Sequence, residues 1–233
     1  MINLSIVIPC FNESQSISIL LKNFSNKLKR NDVELIIVNN GSTDATEKKL
    51  SVLSKKYNFL KTIKIKKNIG YGNGILQGLK VAKGTYVSWT HADLQTDPYD
   101  AIFGFEKYKE KLSEKIFIKG KRVGRPINDT FFTIGMSFFE TILLNKFLWD
   151  INAQPNIVHR NFFKKLSKYA PLDFSFDLFF LYNAKKENLN INRFPVNFHK
   201  RKFGLSHWNK DFKNKMKFIK RTIKYSIELK QKL

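Results

Sequence analysis

Four short apolar runs, each closing on a polar loop and followed by helical spacing, constrain this chain most. They are Leu4 to Ile8, Glu34 to Val38, Thr62 to Ile65 and Thr85 to Trp89. All but Thr62 to Ile65 lack polar alternation and read as buried strands, and Thr62 to Ile65 reads as a third strand of the series. Between the first two, Ile17, Leu20, Leu21, Phe24 and Leu28 recur at helical spacing behind Ser14, a fitting N-cap. Leu50, Leu53 and Tyr57 mark a second helix. A third runs from the glycine-rich loop to about Lys83, where Gly84 stops it. Strand–helix alternation at this spacing predicts an α/β fold: a mostly parallel twisted sheet, right-handed crossovers and helices on both faces.

The second half alternates less regularly. A helix to about Leu112 precedes a strand at Ile116 to Lys119 and a basic loop, Gly120 to Pro126. Phe131 to Trp149 reads as an apolar helix, Asn156 to His159 as a strand, Phe174 to Lys186 as a Phe-rich helix and Ile191 to Phe198 as a strand. From Asn209 the chain reads as a basic amphipathic helix with Phe212, Met216, Ile219, Ile223 and Ile227 on one stripe. At 233 residues the whole is one domain with an appendage. Its boundaries fall at 1–208 for the sheet domain, divided into halves 1–115 and 116–208, and 209–233 for the terminal helix.

Charge narrows the partners. The chain holds 42 Lys and Arg against 19 Asp and Glu, a formal net charge of +23. Such an excess favours a phosphorylated substrate, an anionic membrane surface or nucleic acid. No recognised nucleic-acid motif supports the last. The single Cys10 excludes an internal disulfide. The first residues enter a strand at once without a basic leader, so no signal peptide is expected. Glu140, Asn145 and Lys146 interrupt the Phe131–Trp149 run, so no membrane-spanning helix is expected either. Both that helix and the basic terminal one have the composition to lie on an anionic membrane, and also to pack on the core.

The polar loops carry the chemistry. In an open α/β sheet, ligands bind where the strands end. After the fourth run comes Thr90-His91-Ala92-Asp93-Leu94-Gln95-Thr96-Asp97-Pro98. If that segment is extended, His91, Asp93 and Gln95 share one side. One carboxylate with substrate phosphates is a common way to hold Mg²⁺ or Mn²⁺, and an imidazole suits Mn²⁺ better. The plainer alternative is that His91 packs and Asp93 bonds backbone. Asn12 and Glu13 end the first strand, and Asn39 and Asn40 the second. Adjacent strands bring them together to read a base and a ribose, although Asn is also ordinary turn chemistry. Gly70, Gly72 and Gly74 offer close approach to a phosphate or simply a turn, and they miss the dinucleotide-binding spacing.

Arg122, Arg125, Arg201 and Lys202 lie on two basic loops. Arginine matches phosphate in a bidentate manner, against a background of generally basic surface. Asp177 stands in Phe174-Ser175-Phe176-Asp177-Leu178-Phe179-Phe180. A carboxylate on so apolar a helix is a candidate general base or acceptor contact, or else is exposed or paired with arginine.

Together these strings resemble a family. Val7-Ile8-Pro9-Cys10-Phe11-Asn12-Glu13, Asn39-Asn40-Gly41-Ser42-Thr43-Asp44, Asn68-Ile69-Gly70 and His91-Ala92-Asp93-Leu94-Gln95 look like the family 2 inverting glycosyltransferases of the GT-A fold, a Rossmann-like α/β architecture. More faintly, Gly120-Lys121-Arg122, Asp150 to Arg160, the helix with Asp177, and Pro195 to Ser206 resemble the polyprenyl (dolichyl)-phosphate sugar synthase branch. The resemblance implies that Pro9, Asn12, Glu13, Asn40, Asn68, Gly70, Ala92 and Asp93 bind the nucleotide. It implies a divalent cation (Mn²⁺ or Mg²⁺) at His91, Asp93 and Gln95. Arg122, Arg125, Arg201 and Ser206 would hold phosphates of donor or acceptor. Asp93, Asp177, Arg122 and Arg201 would carry the catalysis. Two residues depart from the family's usual pattern: Asn40 and His91 each stand where it has an aspartate.

The expected activity is sugar transfer, with inversion, from a nucleotide diphosphate sugar to a polyprenyl phosphate or a lipid-linked or envelope glycan. The site of action would be the inner face of a membrane. The alternative is a degenerate protein that binds nucleotide sugar or lipid phosphate without turnover.

Overall fold

The computed structural model describes residues 1–125, 127–204 and 212–231. The elements run β1 (Leu4–Cys10), α1 (Ile17–Lys27), β2 (Val33–Asn40), α2 (Thr46–Lys56), β3 (Leu60–Ile65), α3 (Tyr71–Val81), β4 (Tyr86–Trp89), α4 (Asp100–Lys107), β5 (Ile116–Val123), α5 (Ile127–Leu144), β6 (Asn156–His159), α6 (Arg160–Leu166), α7 (Phe176–Lys186), β7 (Asn190–Asn197) and α8 (Phe212–Gln231). They build one seven-stranded sheet in the order β3-β2-β1-β4-β6-β5-β7. β1, β2, β3 and β4 are parallel neighbours, and β5 is parallel to β7. β6 alone runs antiparallel, to both β4 and β5.

Alternate residues of the central strands feed two cores. Ile6, Ile8, Leu35, Ile37, Ile118 and Ile157 pack with α1 and α4 through Leu20, Phe24, Ala101 and Phe105. Val7, Ile36, Val38, Val87, Phe117 and Val158 pack on the opposite face, with α3, α6 and α7. Burial on both faces is why these strands read as unbroken apolar runs.

Three expectations are adjusted. Gly120 to Val123 is not loop. It continues β5, and β7 pairs with it out to Val123. The apolar helix ends at Leu144 rather than Trp149, closed by Asn145 in the left-handed region (φ 49°). An unanticipated short helix, α6, starts where His159 Nδ1 accepts the Asn161 N–H at 3.3 Å, and it buries Phe162, Phe163 and Leu166. No helix among the described residues is long and apolar enough to cross a membrane.

Candidate functional site

The carboxyl ends of β1, β2 and β4 meet at one edge of the sheet, as the parallel topology requires. Asn12 adopts φ 56°, donates its N–H to Ser42 Oγ at 3.0 Å and accepts the Thr43 N–H at 2.8 Å. The first two loops are thus laced together. Glu13 is 7 % exposed, and its N–H reaches Thr46 Oγ1 at 3.0 Å. Burial raises its pKa, against the lowering effect of the Ser16 hydroxyl and the Arg201 charge. Asn39 does serve as turn chemistry, accepting the Ser42 N–H at 3.0 Å. Asn40 differs. Its amide nitrogen donates to Asn68 Oδ1 and to the Gly70 carbonyl, while its Oδ1 is buried with no hydrogen-bond partner. An unpartnered buried acceptor is costly without a ligand or water to satisfy it.

The glycines of the next loop have a packing reason. A Cβ on Gly70 (φ 142°) would lie 2.1 Å from the Leu172 carbonyl oxygen, and one on Gly72 2.4 Å from that of Pro171. Gly74 abuts Pro9 and the Asn40 amide. These residues let α3 dock closely on the 171–173 segment and on Pro9 and Asn40 at the ends of β1 and β2.

The loop after β4 is not an extended segment. Leu94 takes φ 60°, so His91, Asp93 and Gln95 do not alternate as strand residues would. Asp93 Oδ1 accepts the Gln95 N–H at 3.1 Å. The Gln95 amide donates to the His199 carbonyl, and His199 N–H returns a bond to Gln95 O at 2.8 Å. That pair ties the loop to the segment after β7. The His91 ring lies 5.7 Å from the Tyr71 ring, and Ala92 is buried between the loops and the core. Among the described residues no group of three His, Cys, Asp or Glu side chains is poised to hold a metal ion. The donor set around Asp93 therefore fits a cation held chiefly by a diphosphate and water, not a closed protein cage.

Arg201 links the loops after β1 and β4 to the segment beyond β7. Its Nη2 is paired with Glu13, its Nη1 lies 4.0 Å from Asp93 Oδ2 and its Nε donates to the Phe203 carbonyl at 2.8 Å. Ser206, expected beside it, lies outside the described residues. Arg122 is engaged differently. Its backbone N–H and Nε bond Asp150 at 2.9 and 2.8 Å. Burial pushes Asp150 up, but the Arg122 charge and bonds outweigh this and hold it below its usual range. Arg122 and Arg125 both lie over the Phe198 ring at 5.5 Å, and Arg125 Nη1 donates to Thr133 Oγ1.

Asp177 is neither exposed nor paired with arginine. At 2 % exposure it opens α7 and accepts bonds from Trp89 Nε1 (2.7 Å), Gln154 Nε2 (3.1 Å) and Asn156 Nδ2 (3.1 Å). Strand register explains the convergence. Trp89 pairs with Asn156, and Asn156 with Lys119, so the three form one row across β4, β6 and β5. Lys119 is fully buried, donating to Asn156 Oδ1 at 2.6 Å and to the Ala153 carbonyl at 2.7 Å. Burial lowers its pKa to about 7, against the raising effect of Asp177. Burial raises Asp177, with the charge of Lys119 as the largest opposing effect. Gln154 also donates to the Tyr71 hydroxyl at 2.9 Å, which connects this carboxylate to α3 and the donor loops. Sequence reasoning found Asp177 but missed Lys119, Gln154, Asn156 and Trp89. The one available signal was a lysine inside the apolar run Ile116-Phe117-Ile118.

Comparison with known proteins shows the family and the fold. The family model described as glycosyl transferase family 2 matches residues 5–165. A dolichol-phosphate mannosyltransferase from Pyrococcus furiosus is 33 % identical over 94 residues, covering 40 % of this chain and 26 % of that protein. A prophage bactoprenol glucosyl transferase homolog from Escherichia coli is 33 % identical over 101 residues, covering 42 % of this chain and 33 % of that one. The chain thus spans about a quarter to a third of those relatives' length. Among solved structures, glucosyl-3-phosphoglycerate synthase from Mycobacterium tuberculosis, in complex with Mn²⁺, UDP and glucosyl-3-phosphoglycerate, superposes with a TM-score of 0.70. Its identity is 15 %, over 98 % of this chain and 79 % of that chain. S. aureus TarS 1-349 superposes with a TM-score of 0.62 at 21 % identity, over 85 % and 60 %. At these identities the structural likeness is one of fold.

Proposed function

As the chain belongs to glycosyl transferase family 2, we propose that it moves a sugar from a nucleotide diphosphate sugar to a polyprenyl phosphate or a lipid-linked or envelope glycan, with inversion. The observation that carries this reading is Arg201. From beyond β7 it pairs with Glu13 of the first loop and approaches Asp93 of the β4 loop. A guanidinium held between two carboxylates at a strand-end cleft is in reach of a diphosphate that competes for it. The unpartnered Asn40 Oδ1 adds a hydrogen-bond acceptor for a nucleobase or ribose.

In this reading residues 1–115 bind the donor, 116–208 receive the acceptor and 209–233 form the basic appendage. Pro9, Asn12, Glu13, Asn40, Asn68, Gly70 and Ala92 shape the nucleotide pocket. Asp93, with His91 and Gln95 beside it, is where Mn²⁺ or Mg²⁺ carried by the diphosphate would sit. That ion would supply charge neutralisation for the leaving group. Arg201 stabilises the departing diphosphate electrostatically. Arg122 and Arg125 line the acceptor side, with Ser206 assigned to the same phosphates by the family pattern. A phosphate acceptor is already an anion and needs no base. A hydroxyl acceptor needs one, and the raised pKa of Asp177 suits it to take the proton.

Peripheral attachment to an anionic membrane is part of the proposal. Ile134, Phe138 and Ile142 are exposed along α5, with Phe147 just beyond it. Lys217, Lys220, Lys224 and Lys230 are exposed on α8, which packs against α5. Salt-sensitive cosedimentation with phosphatidylglycerol vesicles, absent with phosphatidylcholine alone, tests it.

Thermal unfolding with UDP, GDP, CMP and dTDP sugars, with and without Mn²⁺, tests the donor site. A shift with one nucleotide supports the reading. No shift with any, for folded protein, removes it. Binding with no nucleotide released in the presence of any acceptor would favour the non-catalytic alternative, to which His91 in place of a second carboxylate lends weight.

A further inference from the structure

Between α5, α7 and α8 lies a cavity of about 50 Å³, lined among others by Arg122, Ser137, Glu140, Phe174, Ser175 and Thr222. Its position follows from the Asp177 network. Ser175 and Leu178 flank Asp177 on α7, and Phe174 stacks on Tyr71 at 5.0 Å. The cavity therefore lies beside the start of α7 and, through Arg122 at the end of β5, on the side assigned to the acceptor.

Its wall is unusual in one respect. Glu140 is fully buried, and Oε1 accepts the Ser226 hydroxyl at 2.8 Å, but Oε2 has no hydrogen-bond partner. Ser175, 3 % exposed, brings a second uncommitted oxygen to the same cavity, and that hydroxyl does not cap α7. A buried carboxyl oxygen without a partner is expensive, and such exceptions in folded proteins need an occupant or a purpose. The space exceeds one water's share of liquid volume, about 30 Å³. It suits one hydroxyl or hydroxymethyl group of a larger ligand.

We propose that this cavity is an acceptor subsite that takes a hydroxyl of a neutral carbohydrate, received by Glu140 Oε2 and Ser175 Oγ. The inference rests on the glycosyltransferase reading above and deepens it, because it selects a hydroxyl-bearing glycan over a bare lipid phosphate. Electrostatics argue in the same direction. The Arg122 guanidinium at the cavity is already paired with Asp150, so a phosphate there would have to compete with that carboxylate. Glu140, whenever ionised, would repel one. Neutral glycosides meet neither obstacle. Burial raises the Glu140 pKa to about 7, so both donor and acceptor forms of the carboxyl are available to a hydroxyl near neutrality.

The test is glycoside binding by saturation-transfer and shift-titration NMR on the full chain. The probes are methyl glucosides, methyl galactosides, their 6-deoxy and 4-deoxy analogues, and farnesyl phosphate. At least one neutral glycoside should bind wild type. Glu140→Leu should weaken it about tenfold, the scale of one lost buried hydrogen bond, and Ser175→Ala should weaken it measurably. The deoxy analogue missing the received hydroxyl should bind wild type as poorly as the parent binds Glu140→Leu, and that variant should no longer distinguish the two. Glu140→Gln preserves shape and the Ser226 bond, so it serves if Glu140→Leu does not fold. It offers an amide donor in place of the carboxylate acceptor, so it should weaken the parent glycoside above pH 7, where Glu140 is ionised. No glycoside binding, or equal binding by wild type and both Glu140 variants, overturns the subsite. So does farnesyl phosphate binding that is lost in the same variants. Nucleotide-sugar affinity measured on the same samples separates the two readings. Its absence would remove the donor assignment, while the glycoside comparison stands or falls alone.

Discussion

Trp89 donates its indole N–H to the Asp177 carboxylate at 2.7 Å, joining the end of β4 to the start of α7 across 88 positions of sequence. The bond fixes a buried carboxylate directly behind the loop that carries Asp93. With the bonds from Gln154 and Asn156 it holds the Asp177 carboxylate in one orientation.

Asp177→Asn separates the two acceptor chemistries. With a hydroxyl acceptor, loss of the base should lower single-turnover transfer at least ~100-fold while donor affinity stays within about twofold. With a polyprenyl phosphate, transfer should persist. Rapid-quench assays with both acceptors read the outcome.

Arg201→Ala should weaken nucleotide-sugar binding roughly tenfold, as expected for a charge-assisted contact to diphosphate. Arg201→Lys should rescue it only partly, because an ammonium cannot reproduce the forked contact with Glu13 and phosphate. Isothermal titration calorimetry with the donor found by thermal shift measures both. Unchanged affinity in the alanine variant would remove Arg201 from the donor site.

His91→Asp should raise Mn²⁺ affinity in the presence of nucleoside diphosphate. It adds a hard oxygen ligand beside Asp93 where the native chain offers an imidazole. Manganese electron paramagnetic resonance, titrated with and without nucleotide, follows it. Equal affinity in both proteins would mean that His91 does not face the ion.

Glu140 sets a pH dependence whose sign is determined. Its folded pKa of about 7 lies above the unfolded value, so the native state binds more protons in between. Its contribution is most favourable below the unfolded pKa and is lost as pH rises through about 7. Each unit of difference corresponds to about 1.4 kcal/mol, which bounds the loss at ~3 kcal/mol. Urea unfolding of Glu140→Gln should show a flatter profile between pH 5 and 8. A variant as pH-dependent as wild type would refute the assignment.

Gly70→Ala should cost about 3 kcal/mol or more, since both its backbone conformation and the 2.1 Å approach to Leu172 O exclude a Cβ. Chemical denaturation and the expected loss of donor binding check it.

The first half of the fold is legible in the sequence because each of its features is local. Ile6, Ile8, Leu35 and Ile37 announce buried strands, Asn40 closes its own strand, and Asn12 and Asp93 follow theirs by a few positions. Parallel neighbours then bring those loops together without further information. The acceptor side is not legible in that way. Lys119 and Asn156 are 37 positions apart, and only strand register makes them partners. Gly120 to Val123 reads as a basic loop because its lysine and arginine hide a strand whose pairing is with distant β7. The extended reading of His91 to Gln95 failed at Leu94, a branched residue with no local signature for a left-handed turn. Arg122 looks like a free phosphate ligand in sequence, and its Asp150 partner is visible only in the folded chain.

The sheet order has a consequence for how the protein comes into being. β1 to β4 are mutual neighbours made entirely from the first 89 residues, so a nascent chain can assemble the donor loops while the remainder is still on the ribosome. β5 then emerges with no strand to join, because β6, synthesised later, must slot between it and β4. Until that strand docks, Trp89 has no Asn156 beside it and Asp177 has not been translated. A chain stopped before residue 156 would hold the loops of β1, β2 and β4 without Arg201, Asn156 or the 171–173 segment, so the proposed site is closed only by the last third of the sequence.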